Sequence, residues 1–283
     1  MRKLNALKNI AWAIGIVLCL GALLVSLVMA AFTRYGGPKE RGGVHLGADA
    51  GSEAAQIAAD SGIDAGVVVP AQEGDGSLHR LEETADAGQA YIDSLTFLVD
   101  STMIGLRDYG ILSGGNETTQ VWGSAAGNIP AGSIAECTIR YPNDGSEIGA
   151  ATAAMVARPA KLVICLGSDS LAQTDKDSFI QNYTALLQDI QRNSPDTVLI
   201  LCSLPSVTPT YNGADGLTSY LVGEANDWIR DVCEATGAYY CDCGSVLRDS
   251  TGNLMSEYAA ANGKTLNSAG LDLILSYLRS HAA

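Results

Sequence analysis

Between residue 91 and residue 283, short apolar runs alternate with segments of helical periodicity. The runs typical of β-strands are 95–99, 119–122, 161–166, 197–202 and 238–241. Apolar residues recur at helical spacing in 175–195, 217–236 and 271–280. Near-continuous apolar strands separated by amphipathic helices are typical of a parallel sheet that is covered on both faces. We therefore predict a three-layer α/β/α sandwich for residues 91–283.

The residues that follow the predicted strands are the first candidates for a functional site, because ligands bind at the carboxyl ends of parallel strands. The residues at these strand ends are Asp100-Ser101, 123–127, 167–169 and 203–205. None of these segments is a phosphate-binding loop, since 123–127 lacks the Lys-Ser/Thr that such a loop requires. The sequence predicts no cofactor.

The chain begins with a segment suited to a membrane. The run from Ile10 to Phe32 carries no charge and is long enough for the roughly 20 apolar residues that a span needs. Arg2, Lys3 and Lys8 precede it, which favours a cytoplasmic N-terminus. We expect residues 1–9 in the cytoplasm, a single-pass transmembrane helix over 10–32, and an extracytoplasmic C-terminal domain. A signal peptide cleaved after Ala30 is the alternative.

Residues 33–90 are rich in Gly, Ala and acidic residues and poor in aromatics. Such a composition buries too little apolar surface to offset the entropy of ordering the chain. We predict a flexible acidic tether, with a short helix near 81–90. Its histidines, His45 and His79, have no ligand-spaced partners and are interpreted as solvated residues.

Charge and cysteine usage narrow the function further. The formal net charge of −14 argues against nucleic-acid binding, because the chain has too few basic residues to neutralise phosphates. Cys165 and Cys202 lie in predicted strands, where free cysteines act as small hydrophobes. The Cys241-Asp-Cys243 segment lacks the spacing of a redox or zinc pair, so no metal site is predicted. A disulfide from Cys233 to Cys241 or Cys243 stays open.

Four segments, in order, resemble the conserved blocks of the SGNH (GDSL) hydrolases. FLVDSTMIGLRDYG resembles the first block, with Ser101 at the nucleophile position, and the glycines after TTQVW resemble the second. LGSDSL resembles the third block and NGKTLNSAGLDLILSYL the fifth. The resemblance spans residues 91–283 and implies the flavodoxin-like sandwich of that family. It is closest to the membrane-anchored bacterial branch.

The resemblance also implies a role for each position, and most of those positions are altered. Gly127 or Gly123 would supply a backbone N–H to the oxyanion hole. Asp169 stands where the family has an asparagine amide that donates to the oxyanion. Asn262 stands at the triad aspartate and Thr265 at the triad histidine. A serine hydroxyl needs an adjacent base, and threonine does not supply one.

Two function classes follow. The first is a catalytically impaired pseudoenzyme that binds a cell-surface glycan, an acyl-ester ligand such as an acylated polysaccharide, or a protein partner in the inherited cleft. Asp169 with Asp100 could alternatively attract a cation there, although two acids are a weak metal signal. The second class is an active serine esterase or deacetylase that uses Asp169 as a substitute base. His281 is interpreted as a solvated terminal residue, Asn262-Gly263 as a turn, and Trp122 and Trp228 as core.

Overall fold

The computed structural model describes residues 76–283, so the predicted membrane segment and most of the predicted tether lie outside the described residues. Within 76–283, no helix has the length and apolar character needed to cross a bilayer. The described residues form one parallel sheet, one small antiparallel ladder and six α-helices.

The sheet has six strands, which are β1 His79–Arg80, β2 Leu95–Val99, β3 Val121–Trp122, β6 Lys161–Cys165, β7 Val198–Cys202 and β8 Tyr239–Cys241. Their spatial order is β1-β8-β7-β6-β2-β3, and every neighbouring pair is parallel. A separate antiparallel pair joins β4 (Thr138–Arg140) to β5 (Glu147–Gly149). The predicted parallel α/β fold is confirmed, with each of the five predicted strands placed within two residues.

The helices are α1 Gly88–Asp93, α2 Gly105–Asp108, α3 Ala150–Ala157, α4 Lys176–Asn193, α5 Ser219–Thr236 and α6 Ser268–Arg279. They pack as two groups, α3 with α4 and α5, and α1 and α2 with α6. The chain runs from β6 to β7 to β8 in one direction across the sheet and from β2 to β3 in the other. Right-handed crossovers therefore place the two helix groups on opposite faces.

The three long helices begin where a side chain caps the first turn. Asp175 accepts a hydrogen bond from the Ser178 N–H at 2.8 Å at the start of α4. Thr218 and Asn267 cap α5 and α6 in the same way. These contacts satisfy backbone donors that have no partner inside the helix.

The folded domain begins earlier than the predicted boundary at residue 91. The strand β1 pairs His79 with Tyr239 and Arg80 with Tyr240 at the edge of the sheet, and Leu81 is 5% exposed. The predicted helix over 81–90 is also displaced, since α1 starts at Gly88. His79 thus lies in an edge strand and not in a tether. This strand has only two residues, which is too short to show the alternation of apolar and polar residues that predicts a strand.

The aromatic and cysteine predictions can be placed as well. Trp122 and Trp228 are buried, Trp122 against Tyr141 and Trp228 against Phe179, which confirms them as core. Cys165 and Cys202 are fully buried in their strands. Every cysteine of the described residues is a free thiol, so the disulfide left open for Cys233 is not formed in this structure.

Candidate active site

The strands β2 and β6 are neighbours from which the chain departs toward opposite edges of the sheet, and such a switch point opens a crevice at the strand ends. Val99 pairs with Cys165 at the end of this ladder, and the Asp100 N–H donates to the Cys165 carbonyl at 3.1 Å. The residues that follow the two strands, including Ser101 and Asp169, therefore meet as the parallel topology predicts.

Asp100 is the buried support of this crevice. One carboxylate oxygen accepts from the N–H and hydroxyl of Thr102, at 3.0 and 2.6 Å. The other accepts from the N–H groups of Gly167 and Ser168, at 3.1 and 2.9 Å. Asp100 thus does more than cap the turn that begins at Thr102, because it ties the loop after β2 to the loop after β6.

The loop after β6 requires a glycine. Gly167 has φ +128°, and a Cβ there would lie 2.9 Å from the Phe179 ring, so a side chain at this position would be strained and crowded. The tight turn carries the chain directly to Asp169, which is 5% exposed.

Asp169 makes two contacts to Ser101, the nucleophile position. Its Oδ1 accepts from the Ser101 hydroxyl at 2.5 Å, and its Oδ2 accepts from the Ser101 N–H at 3.1 Å. The Ile129 N–H also donates to Oδ2, at 3.0 Å. In serine hydrolases the N–H of the nucleophile is a donor to the oxyanion. Here that donor faces the Asp169 carboxylate.

A lysine that the sequence reasoning missed completes the site. The Lys264 ammonium lies 3.2 Å from Asp169 Oδ1 and 3.2 Å from Asp215 Oδ2, and its side chain is 13% exposed. Tyr211 also hydrogen-bonds Asp215. The signal was present in the sequence, because Lys264 is the only cation between the two altered triad positions.

The two triad positions form a turn. The Asn262 side-chain oxygen accepts from the N–H groups of Lys264 and Thr265, both at 3.0 Å, and from the Thr265 hydroxyl at 3.2 Å. Gly263 between them has φ +72°, and this confirms the turn predicted for Asn262-Gly263. The Leu266 N–H donates to the Thr102 carbonyl at 3.1 Å, which brings this segment beside the nucleophile loop.

No imidazole reaches the serine from the described residues. His281 follows α6, whose twelve residues span about 18 Å, and it stacks on Tyr277 at the far end of that helix. His79 lies in β1, which is separated from β2 by three intervening strands.

The predicted oxyanion role of Gly127 does not fit the structure. Its N–H donates to the Ser124 carbonyl at 3.1 Å within a turn, and Gly127 lines a separate polar cavity with Arg107 and Arg140. Gly123 follows β3 directly, and a Cβ there would lie 2.6 Å from Ile104 and 3.6 Å from the Val99 carbonyl. Gly123 is thus the glycine of this pair that adjoins the end of β2.

Burial and neighbouring charges shift the pKa values of two groups in the site, Asp100 and Lys264. Burial, and secondarily repulsion from Asp169, raises the pKa of Asp100 to about 6. Burial of the Lys264 ammonium opposes its charge, but the Asp169 and Asp215 carboxylates outweigh burial and raise the pKa of Lys264 above its ordinary value. Lys264 is therefore a cation at neutral pH and cannot accept the serine proton.

The structure thus brings Ser101 after β2, Asp169 after β6 and the turn at 262–265 together at the carboxyl ends of the parallel strands. The GDSL-like Lipase/Acylhydrolase family matches residues 100–270, which is more than half of the 283 residues. The chain therefore belongs to the GDSL-like lipase/acylhydrolase family.

The chain is similar to several solved structures at low sequence identity. A Streptococcus pneumonia protein described as a platelet activating factor is 18% identical, with a TM-score of 0.50 over 66% of this chain and 82% of that one. A GDSL-like lipase from Bacteroides thetaiotaomicron is 11% identical, with a TM-score of 0.45 over 69% and 89%. A carbohydrate esterase family 3 protein from Talaromyces cellulolyticus is 15% identical, with a TM-score of 0.42 over 65% and 93%. No curated protein matches the chain.

Proposed function

We propose that this chain is a GDSL-family protein that has lost ester turnover and binds a polar ligand in the cleft at Ser101. One observation carries the proposal: the Asp169 carboxylate accepts both the hydroxyl and the N–H of Ser101 and is paired with Lys264. The group that would attack an ester and a donor that would stabilise its oxyanion are both engaged by the same negatively charged side chain.

Each change at the site is expected to lower the rate of ester hydrolysis. Loss of an oxyanion donor typically costs about 3–4 kcal/mol of transition-state stabilisation, and a carboxylate in its place adds repulsion. Loss of the triad base costs a further factor of roughly 10⁴ to 10⁶ in rate. Thr265 and Asn262 provide neither the base nor the carboxylate that would orient one.

The polar groups left around the cleft favour a hydroxyl-rich ligand. Ser101 and Thr265 are partly exposed, Asn262 is exposed, and Asp215 adjoins Lys264 at the rim. Hydroxyl, amide and carboxylate groups can hydrogen-bond the hydroxyl groups of a glycan, such as an acylated cell-surface polysaccharide. The uncharged run from Ile10 to Phe32 supports anchoring in the cell membrane, with residues 76–283 on the extracytoplasmic side.

The test combines turnover and binding on the full chain in detergent. We expect hydrolysis of a short acyl ester by the native protein to equal that of Ser101→Ala. Ser113→Ala is the matched control, because Ser113 also donates to an aspartate, Asp93, at 2.6 Å, but lies on the surface. Retention on immobilised acetylated polysaccharide should survive Ser101→Ala and fall at least tenfold in the cleft-filling Thr265→Phe. Equal retention in Thr265→Phe would contradict binding in this cleft.

A second candidate function rests on the 2.5 Å contact between the Ser101 hydroxyl and Asp169 Oδ1. That contact is short enough for Asp169 to act as the general base of an esterase or deacetylase. Ser101-dependent turnover that disappears in Asp169→Asn would establish it. Turnover that instead rises in Asp169→Asn would exclude the base role, because the amide restores a donor.

A further inference from the structure

Three cysteines converge at the other half of the sheet, away from Ser101. Cys202 is the last residue of β7, Cys241 is the last residue of β8, and Cys243 follows two positions later. Their sulfur atoms all lie within 4.8 Å of one another, and all three residues are fully buried. The spacing along the sequence relates Cys241 to Cys243 but does not link that pair to Cys202.

The backbone holds this thiol cluster, Cys202, Cys241 and Cys243, in place. Cys202 and Cys241 are register partners in the β7–β8 ladder, and the Ser203 N–H extends that ladder to the Cys241 carbonyl at 2.8 Å. The Ser203 hydroxyl then accepts from the Gly244 N–H at 2.8 Å. The two strand-end loops are thus tied together on both sides of the sulfur atoms.

Asp242, the residue between Cys241 and Cys243, has charged partners of its own outside the thiol cluster. Asp242 carries its carboxylate away from the sulfurs and pairs with Arg80 at 3.1 Å and Arg248 at 3.3 Å. Cys241 and Cys243 therefore point inward from either side of an outward-facing aspartate, toward the third sulfur of Cys202.

We propose that Cys202, Cys241 and Cys243 bind one soft, thiophilic metal ion through their three sulfur atoms. Thiolates select ions such as Zn²⁺ and Cu⁺ over the hard ions that oxygen ligands favour. Ligands at about 2.3 Å from a shared ion are themselves about 4 Å apart, so the observed cluster needs to contract by less than about 1 Å. Disulfide chemistry would use two of these sulfurs and leave the third without a role.

Binding is coupled to proton release. Each thiol that becomes a metal-bound thiolate releases one proton, so up to three protons leave per ion bound. The ion adds no oxidant or reductant. With all three thiols deprotonated, the site has a net charge of −1 with Zn²⁺ and −2 with Cu⁺, and a thiol that keeps its proton lowers the magnitude of that charge by one.

The experiment uses the full chain, reduced and freed of metal under nitrogen, and titrates it separately with Zn²⁺ and with Cu⁺. We expect one equivalent of at least one of these ions to remain after desalting, measured by elemental mass spectrometry. X-ray absorption at the metal edge should show a shell of three sulfur atoms at about 2.3 Å, a readout that needs no variant.

The variants Cys202→Ala and Cys243→Ala should each weaken binding at least tenfold. Cys233→Ala is the matched control, since Cys233 is equally buried but lies in α5, outside the cluster, and its loss should leave the stoichiometry unchanged. Fewer than one equivalent of both ions, an oxygen or nitrogen shell, or equal loss in Cys233→Ala would overturn the proposal. A disulfide among the three cysteines, found by mass spectrometry in protein isolated without reductant, would overturn it too.

Discussion

At the scale of single residues, the proposed function depends on the neighbours of Asp169. A carboxylate that is nearly excluded from water is costly unless it is paired and hydrogen-bonded. Asp169 has the Ser101 hydroxyl, two backbone N–H groups and the Lys264 ammonium as donors. The buried Asp169 side chain is therefore hydrogen-bonded and ion-paired within the site.

We predict that Lys264→Met lowers the free energy of unfolding by about 2 kcal/mol, because Asp169 then loses the charge that compensates it. The pKa of Lys264 is raised in the folded state, so its contribution is complete below the ordinary lysine pKa. The contribution is lost as the pH rises through the folded-state pKa. Urea unfolding at neutral and at strongly alkaline pH measures both effects.

The matched control is Lys176→Met. Lys176 also pairs with an aspartate, Asp231, at 2.9 Å, but both side chains are about half exposed. Pairs of this kind contribute little, and we expect no measurable change. Equal stability of Lys264→Met and the native protein would contradict the role given to Lys264.

Asp100 gives a second residue-scale prediction. Its pKa is raised to about 6 in the folded protein, so between about pH 4 and pH 6 the folded state binds more protons than the unfolded state. The free energy of unfolding contributed by Asp100 should fall as the pH rises through this window. Carboxyl carbon NMR of Asp100 measures the titration directly.

Asp169→Asn should lower the Asp100 pKa, because it removes the repulsion that adds to burial. The pKa should still stay above the ordinary aspartate value, since burial is the larger cause. An Asp100 carboxyl that titrates identically in native protein and Asp169→Asn would show that the two carboxylates are not electrostatically linked.

At the scale of elements, the turn at Gly263 sets where Lys264 lies. A Cβ at Gly263 would lie 2.5 Å from the Thr208 hydroxyl oxygen, and φ is +72°. Gly263→Ala should therefore destabilise the protein by about 2–3 kcal/mol through strain and overlap, as measured by thermal or urea unfolding.

Gly252 supplies the control for that substitution, because its φ is +85° and nothing lies within 4 Å of a Cβ there. Gly252→Ala should cost only the backbone strain, about 1 kcal/mol. If the two glycine substitutions cost the same, the close packing of the Gly263 turn would not matter.

The elements that the sequence predicted correctly are those with a strong periodic signal. The strand β6 and the helix α4 are long enough for burial to select their apolar positions, so pattern and structure agree. Helix α3 was missed, because five of its eight residues are alanine and alanine distinguishes poorly between the buried and exposed faces of a helix. The antiparallel β4–β5 pair was also missed, since three residues carry too little alternation.

The candidate site, too, could be predicted from the sequence only in part. The positions of Ser101 and Asp169 follow from the parallel topology, because the carboxyl ends of neighbouring strands meet. The role of Lys264 could not be predicted from periodicity, since its partner Asp169 is distant along the chain and the pairing depends on loop geometry. The oxyanion role predicted for Gly127 does not fit, because the Gly127 N–H donates to the Ser124 carbonyl within a turn.

At the scale of the whole molecule, the folded unit includes residues that composition alone assigned to a tether. Arg80 pairs with Asp242 at 3.1 Å, Arg279 pairs with Asp86, and the Thr84 N–H donates to the Ser280 carbonyl at 2.7 Å. The segment from 77 to 90 therefore fastens the last helix and the edge of the sheet.

We predict that a chain beginning at residue 91 is less stable than one beginning at residue 76 by about 2–4 kcal/mol. Burial of a leucine such as Leu81 alone contributes about 1.5–3 kcal/mol, and the strand pairing of β1 adds to it. Urea denaturation of the two chains measures the difference. Identical midpoints and slopes would place the domain boundary at residue 91 after all.

The proposed loss of ester turnover rests on three side chains, Asp169, Asn262 and Thr265. The most direct measurement is hydrolysis of a short acyl ester by the full chain carrying Asp169→Asn, Asn262→Asp and Thr265→His together. We predict no Ser101-dependent turnover in the native protein and a gain of at least about 10²-fold over background in the triple variant, abolished by adding Ser101→Ala. Turnover by the native protein that disappears in Ser101→Ala would contradict the proposed loss of turnover.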